Sequence, residues 1–130
     1  MAGIQSVSAG FSAVRIRPYL PPGLALIEAS VPTPFGVIRG AWDRSELSVL
    51  KIQLSIPVGV EAQVVLTEAG IGQDINFLKV REGIHTVWER QRYLPGVSGI
   101  ISCEYSFGEW VLTLSSGDYS LTILQPELTT

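Results

Sequence analysis

The chain has 130 residues, of which 46% are hydrophobic and 16% are charged, and its formal net charge is −3. The charged fraction is well below the ~25% of ordinary soluble domains, which predicts one domain with a large apolar core, an exposed apolar interface, or both. The acidic balance argues against a nucleic-acid partner, which would need a basic patch, and no apolar run approaches the ~20 residues of a membrane helix.

The amino-terminal segment, Met1 to Ser6, shows neither the basic nor the apolar region of a signal peptide, so the sequence leaves the compartment open. Cys103 is the single cysteine. It therefore cannot form an intrachain disulfide, and no cysteine-based zinc site can be assembled. We interpret Cys103 as a small buried hydrophobic residue.

In the first third of the chain, short apolar runs alternate with polar residues and are separated by proline and glycine. Val14 to Arg17 alternates aliphatic and basic residues and ends at Pro18. The same period of two recurs over 25–31 and 38–42, and it predicts half-buried strands. The polar segment Asp43 to Glu46 is interpreted as a hairpin-type loop.

The clearest strand pattern is the run from 50 to 56, in which every second residue is Leu or Ile and the residues between are Lys, Gln and Ser. A half-buried antiparallel strand has this alternation. A further strand is predicted over 62–66. The segment 70–83 has only a weak helical spacing, and we interpret it as a loop with a short strand or turn.

In the last third of the chain the extended pattern returns. Strands are predicted over 85–90, 100–105, 110–114 and 119–124. Trp42 and Trp110 are in phase with inward-facing apolar positions and are predicted to be core, while Tyr119 is interpreted as core or as a corner hydrogen bond. About nine strands at regular spacing predict an all-β fold, a two-sheet antiparallel β-sandwich of Greek-key or jelly-roll type that forms a single domain over 1–130.

One cluster, Trp88-Glu89-Arg90-Gln91-Arg92-Tyr93, has the composition of a binding surface. On a single continuous strand Trp88, Arg90 and Arg92 share one face, with Tyr93 on the other. An aromatic ring flanked by guanidinium donors suits a sugar, but the same residue types anchor protein interfaces. We therefore predict Trp88, Arg90, Arg92 and Tyr93 as an interface or a carbohydrate site, with ordinary surface packing as the remaining alternative.

Residues for catalysis or cofactor binding are not recognisable. The twelve acidic residues are scattered over turns and polar strand faces, and the interior of a sandwich has no cleft for the carboxylate pair of a glycosidase. His85 is the only histidine, which leaves no histidine pair for zinc, and no Gly-x-Ser-x-Gly motif accompanies it. Gly70-Ile71-Gly72 lacks the third glycine of a dinucleotide loop. We predict no catalytic residue, no metal and no cofactor.

Several short motifs, taken in order, resemble the C-terminal β-sandwich domain of α-L-rhamnosidases over about residues 10–123. They are Gly10-Phe11 with Val14-Arg15-Ile16-Arg17-Pro18, Gly23-Leu24 with Ala29-Ser30, Thr33-Pro34-Phe35-Gly36 with Trp42, Ile56-Pro57 with Ala62-Gln63-Val64-Val65-Leu66, and Ser116-Gly117-Asp118-Tyr119-Ser120. The stretch from 77 to 98 departs from the family pattern.

The resemblance implies a part of an enzyme's architecture that is not itself the enzyme. In this family the catalytic acid and base lie on an (α/α)6 barrel, and those positions have no counterpart in this chain. We therefore expect a non-catalytic accessory domain that packs on the barrel of a parent enzyme and stabilises it, or self-associates through the same face. The alternative is a stand-alone carbohydrate-binding module for rhamnose-containing glycans.

Overall fold

The computed structural model describes residues 4–6, 12–18, 26–46, 49–67, 78–89 and 92–124. In these ranges the chain forms twelve strands, β1 (Ile4–Ser6), β2 (Ala13–Ile16), β3 (Leu26–Thr33), β4 (Gly36–Glu46), β5 (Val49–Ile56), β6 (Glu61–Thr67), β7 (Lys79–Glu82), β8 (His85–Glu89), β9 (Arg92–Tyr93), β10 (Ile100–Ser106), β11 (Glu109–Leu114) and β12 (Gly117–Leu124). The same ranges contain no helix that is long and apolar enough to cross a membrane.

The strands form two sheets that stack as a β-sandwich, which confirms the predicted fold class. The five-stranded sheet has the order β1-β2-β6-β11-β10, and the seven-stranded sheet has the order β3-β4-β5-β12-β7-β8-β9. Every pairing between described strands is antiparallel except that of β2 with β6. The count exceeds the predicted nine because β1, β7 and β9 have only three, four and two residues, too few to show an alternation.

The hydrophobic core lies between the sheets and consists of alternate residues from each strand. On β5, the four inward residues from Leu50 to Ile56 are at most 3% exposed, as the alternation predicts. Trp42 and Trp110 are completely buried, which confirms their predicted core positions. Both sheets therefore present one apolar face inward and one more polar face to solvent.

The polar segment from Asp43 to Glu46 belongs to β4, so the prediction of a hairpin loop there is wrong. Asp43 pairs with Lys51 and Glu46 pairs with Val49, with a β-bulge between the two pairs. Opposite charges directly across a ladder stabilise strand pairing, and a bulge accommodates the extra residues. A polar stretch can therefore stay extended here.

The topology gives the sandwich two distinct ends. The turns after β3, β5 and β11 lie together at one end, because Gly117 pairs with Ile56 and a Cβ on Gly36 would contact Pro57. We call this the Tyr119 end, after the tyrosine that joins its turns. The tip of the β10–β11 hairpin, Phe107 and Gly108, lies at the opposite end, which we call the Phe107 end.

Candidate functional site

Trp88, the aromatic residue of the predicted binding cluster, is buried. It is 5% exposed, and its ring packs edge-on against Trp110, with 6.3 Å between the ring centroids and 82° between the planes. Such T-shaped aromatic pairs stabilise a core beyond their buried area. The ring of Trp88 therefore fixes the two sheets to each other and does not present a face to solvent.

The strand geometry predicted for this cluster is wrong. β8 ends at Glu89, and β9 is its antiparallel partner, so Trp88 lies opposite Tyr93 and Glu89 lies opposite Arg92. Trp88 therefore shares a face with Tyr93 and not with Arg92. The change of strand direction could not be predicted from the sequence, because Arg90 and Gln91 are not typical turn-forming residues. Both residues lie outside the described part of the chain.

The remaining two members of the cluster differ in exposure. Tyr93 is half-buried and packs against the core, whereas Arg92 is exposed on the edge strand β9. β9 also contacts β10 of the other sheet. The structure thus brings Trp88 and Tyr93 together inside the sandwich and leaves Arg92 as the described member that a partner could reach.

Tyr119 forms the corner hydrogen bond that the sequence suggested. Its side chain is 6% exposed, and its hydroxyl donates to the carbonyl of Ser115 at 2.8 Å, with the carbonyl of Gly99 at 3.2 Å. The Ser115 amide also donates to the Gly99 carbonyl at 2.9 Å. These bonds join the loop before β10 to the turn after β11 and have a structural role.

Neither the cysteine nor the histidine is arranged for catalysis among the described residues. Cys103 is buried, and this burial, with a smaller effect of the Glu104 charge, raises the pKa of its thiol far above the ordinary value. The thiol therefore stays protonated and unreactive. His85 is exposed, and the described part of the chain contains no group of three His, Cys, Asp or Glu side chains placed to hold a metal ion.

A groove of about 830 Å³ crosses the outer face of the seven-stranded sheet. Its polar lining includes Glu28, Ser30, Arg39, Gln53, Ser55 and Asp118. These residues come from four strands that neighbour one another in the sheet but are distant in sequence. Sequence reasoning missed this feature, because only the strand register shows that the residues are adjacent.

The tip of the β10–β11 hairpin carries the most exposed large hydrophobic side chain described. Phe107 is fully exposed, and its backbone has the left-handed φ of 51°. A bulky residue rarely adopts this conformation, which Asn, Asp or Gly occupy more readily. Phe107 therefore carries both backbone strain and unburied apolar surface, the combination expected where a side chain contacts something outside the domain.

Comparisons with known proteins agree with the resemblance seen in the motifs. The family model described as "Bacterial alpha-L-rhamnosidase C-terminal domain" matches residues 3–73. An α-L-rhamnosidase of Formosa agariphila is 35% identical over 71 residues, which cover 53% of this chain and 7% of that protein. The matched segment thus spans less than a tenth of the length of this relative.

Two solved structures share the fold. The α-L-rhamnosidase from Dictyoglumus thermophilum superposes with a TM-score of 0.74 at 19% identity, covering 95% of this chain and 12% of that chain. The Streptomyces avermitilis α-L-rhamnosidase complexed with L-rhamnose gives a TM-score of 0.61 at 18% identity, covering 93% of this chain and 10% of that one. In both proteins the matching sandwich is a small part of a much longer chain.

Proposed function

The chain belongs to the family of bacterial α-L-rhamnosidase C-terminal domains, and from this premise we propose that it is a non-catalytic accessory domain that packs on the catalytic domain of a longer α-L-rhamnosidase and stabilises it. The observation that carries the proposal is the family match over residues 3–73. The shared fold over 95% of the chain supports it.

The Phe107 end is the surface that we propose docks on the catalytic domain. A C-terminal domain is joined to the preceding domain through its first strand. The first residue of β1, Ile4, pairs with Ile16, and Arg17 forms an ion pair with Glu109, which adjoins the tip of the Phe107 hairpin, with 3.0 Å between Nη1 and Oε2. The entry of the chain and the exposed Phe107 therefore lie at the same end.

The energetics favour the same surface. Burying a phenylalanine side chain contributes roughly 1.5–3 kcal/mol, and an exposed ring forgoes this gain. Phe107 has no such gain within the described residues, since it is fully exposed. Docking on an apolar surface would recover that free energy and offset the strain of the left-handed backbone. Arg92, exposed on β9 beside β10, is our second candidate for the interface.

A domain exchange tests the docking proposal. The matching domain of the Formosa agariphila enzyme is either deleted or replaced by this chain, and the melting temperature and soluble yield of the two proteins are compared. We expect the chimera to melt several degrees above the deletion protein, because the docked surface is removed from water. Equal melting temperatures for the two proteins contradict the proposal.

Single substitutions within the chimera locate the interface. Phe107→Ser should lower the melting temperature of the catalytic part by at least about 2 °C, given the usual conversion of ~1 kcal/mol into degrees. The matched control is Val58→Ser, which removes another exposed hydrophobic side chain at the opposite, Tyr119 end, and should leave the melting temperature unchanged.

The non-catalytic part of the proposal has its own test. The purified 130-residue chain is incubated with p-nitrophenyl α-L-rhamnopyranoside, and release of nitrophenol is followed. We expect no release above the buffer rate, since a glycosidase needs a carboxylate pair flanking the scissile bond. Hydrolytic activity that co-purifies with the chain would contradict the non-catalytic part of the proposal, and it would not bear on the docking proposal.

A further inference from the structure

The outer face of the seven-stranded sheet holds two parallel rows of side chains that are all polar except Ala41. The strand register aligns the first row, Ser30, Arg39, Ser55 and Asp118, across β3, β4, β5 and β12. The second row is Glu28, Ala41, Gln53 and Ser120. Because neighbouring strands are ~4.8 Å apart, each row spans roughly 14 Å.

The groove between these side chains results from the alternation of small and long residues. Ala41 and Ser55 form a low floor on the two central strands, whereas Glu28, Arg39 and Gln53 are long enough to form walls. The volume of about 830 Å³ falls within the ~300–1,000 Å³ of small-molecule sites. The space therefore suits a short oligomeric ligand lying on the sheet.

Three of the four charged side chains that line the groove are not used to hold the fold together. The ion pairs of the described surface lie elsewhere, as between Arg17 and Glu109 and between Lys79 and Glu89. Within the part of the chain that the structure describes, Arg39, Glu28 and Asp118 form no ion pair. Their hydrogen-bonding capacity is available to a ligand.

Only the carboxylate at the edge of the groove is already occupied. Glu82 lines the groove, and its Oε2 accepts a hydrogen bond from the backbone amide of Ser120 at 3.1 Å. This bond satisfies an amide of β12 beyond the last residue of β7. Glu82 therefore closes one side of the groove as part of the sheet, and the binding groups are those on β3, β4, β5 and β12.

The charge and polarity of the side chains that line the groove favour some classes of ligand over others. Three carboxylates against one guanidinium disfavour phosphates, nucleic acids and anionic lipid headgroups. The scarcity of exposed apolar side chains in the groove disfavours an apolar peptide, which needs hydrophobic pockets. A neutral polyhydroxylated chain fits, because its hydroxyls can donate to Glu28 and Asp118 and accept from Arg39 and Gln53.

We propose that this groove, walled by Glu28, Arg39, Gln53 and Asp118, binds a neutral oligosaccharide. The site lies on a sheet face and is separate from the Phe107 end, so it does not depend on docking to a catalytic domain. It also differs from the Trp88–Tyr93 cluster that the sequence suggested, whose tryptophan is buried. Few apolar side chains line the groove, so we expect a Kd in the millimolar range.

The test is an NMR titration of the isotopically labelled chain with rutinose, cellohexaose and xylohexaose, each to about 20 mM, enough to reveal a millimolar Kd. We expect saturable amide shifts on β3, β4, β5 and β12 with at least one sugar. Arg39→Ala should raise the Kd about tenfold, because a charged donor is lost. Glu28→Gln should raise it less, since the amide oxygen still accepts hydrogen bonds.

The matched control is Lys51→Ala, which removes a charge from the same outer face two residues away from Gln53 and outside the lining; its Kd should stay within about twofold of the parent value. Absence of saturable shifts with all three sugars overturns the proposal. It is also overturned if the shifts fall on residues 85–93, or if tetralysine binds these strands and the sugars do not.

Discussion

Two hairpin turns of this protein each carry a Phe-Gly pair, and the structure uses them in opposite ways. At the Tyr119 end, the ring of Phe35 packs so closely on Gly59 that a Cβ there would lie 2.6 Å from its Cδ1. At the Phe107 end, Phe107 is fully exposed, and nothing lies within 4 Å of the position a Cβ on Gly108 would take. The Phe of the first pair therefore packs against a neighbouring turn of the domain, whereas the Phe of the second pair is left exposed to solvent.

The backbone of the two turns shows the same difference. Thr33 closes the first turn, because its hydroxyl donates to the Gly36 carbonyl at 2.7 Å and accepts from the Phe35 amide at 3.1 Å. The second turn places Phe107 at φ 51° and Gly108 at φ 80°, a geometry for which Asn-Gly is the preferred pair. The first turn is locally satisfied, whereas the second is strained.

This comparison suggests a division of roles between the two ends. Side-chain contacts and backbone bonds of Thr33, Phe35 and Tyr119 link the turns of the Tyr119 end, so substitutions there should lower the stability of the isolated domain. The Phe107 end gains little from its own tip, so substitutions there should affect a partner and not the fold.

The largest effect is expected for Gly99→Ala at the Tyr119 end. Gly99 has a φ of +85°, and a Cβ there would clash with the hydroxyl oxygen of Tyr119. The left-handed backbone costs an alanine ~1–2 kcal/mol, and displacing Tyr119 removes buried hydrogen bonds. We expect the free energy of unfolding in urea to fall by about 3 kcal/mol.

Gly96→Ala is the matched control in the same loop. Gly96 also has a left-handed φ, +107°, but nothing lies within 4 Å of its would-be Cβ. Gly96→Ala therefore introduces the backbone strain without a steric clash, so we expect the free energy of unfolding to fall by about 1 kcal/mol. Equal losses of stability for Gly99→Ala and Gly96→Ala would mean that the hydrogen bonds of the Tyr119 hydroxyl do not stabilise the Tyr119 end.

Tyr119→Phe removes the hydroxyl and keeps the ring. The carbonyl of Ser115 then loses its side-chain donor, whereas the Gly99 carbonyl loses the Tyr119 hydroxyl but keeps the hydroxyl and the amide of Ser115 as donors. We expect the free energy of unfolding to fall by about 1.5 kcal/mol, the usual cost of an unmade buried hydrogen bond. Thermal unfolding followed by circular dichroism measures it, and an unchanged melting temperature would show that the corner bonds are dispensable.

Cys103 lies in the buried part of the Phe107 hairpin, opposite Leu112. Burial raises the pKa of its thiol in the folded chain, whereas the unfolded thiol has a pKa of ~8.5. The unfolded state therefore releases the proton first as pH rises, and stability falls with increasing pH. We expect a loss of about 1 kcal/mol between pH 8.5 and 9.5.

A Cys103→Ala variant isolates this contribution. Its unfolding free energy starts lower, because a buried side chain is truncated, but the part of the pH dependence that comes from the thiol should vanish. The difference between the two pH profiles in urea unfolding is the measured quantity. Parallel profiles would mean that the thiol is accessible to solvent in the folded chain.

The alternation of apolar and polar residues along the chain predicted the sandwich and most of its core, because a strand with one buried face has an apolar residue at every second position. It failed at the polar segment that begins with Asp43, which stays in a strand because its backbone pairs with the neighbouring strand opposite Lys51. It failed again between Glu89 and Arg92, where the chain changes strands without a turn residue. Both failures come from interactions with a partner strand, which local sequence does not contain.

The groove on the seven-stranded sheet could not have been predicted for a related reason. Glu28, Arg39, Gln53 and Asp118 are separated by up to 90 positions in the chain and become neighbours only through the register of four strands. The Trp88 cluster showed the converse error. Its residues are consecutive, but the tryptophan is buried, so proximity in sequence did not produce a common surface.

The smallest effect on stability is expected for Phe107→Asn. Asn adopts left-handed backbone more readily than Phe, and the exposed ring has no described contact to lose, so the isolated chain should be unchanged or more stable by about 0.5 kcal/mol. Phe35→Asn should instead lose about 1 kcal/mol, because the substitution removes the ring that covers Gly59. Urea unfolding of both variants measures the contrast. A loss above 1 kcal/mol for Phe107→Asn would mean that this ring supports the fold itself, and the division between the two ends would then be wrong.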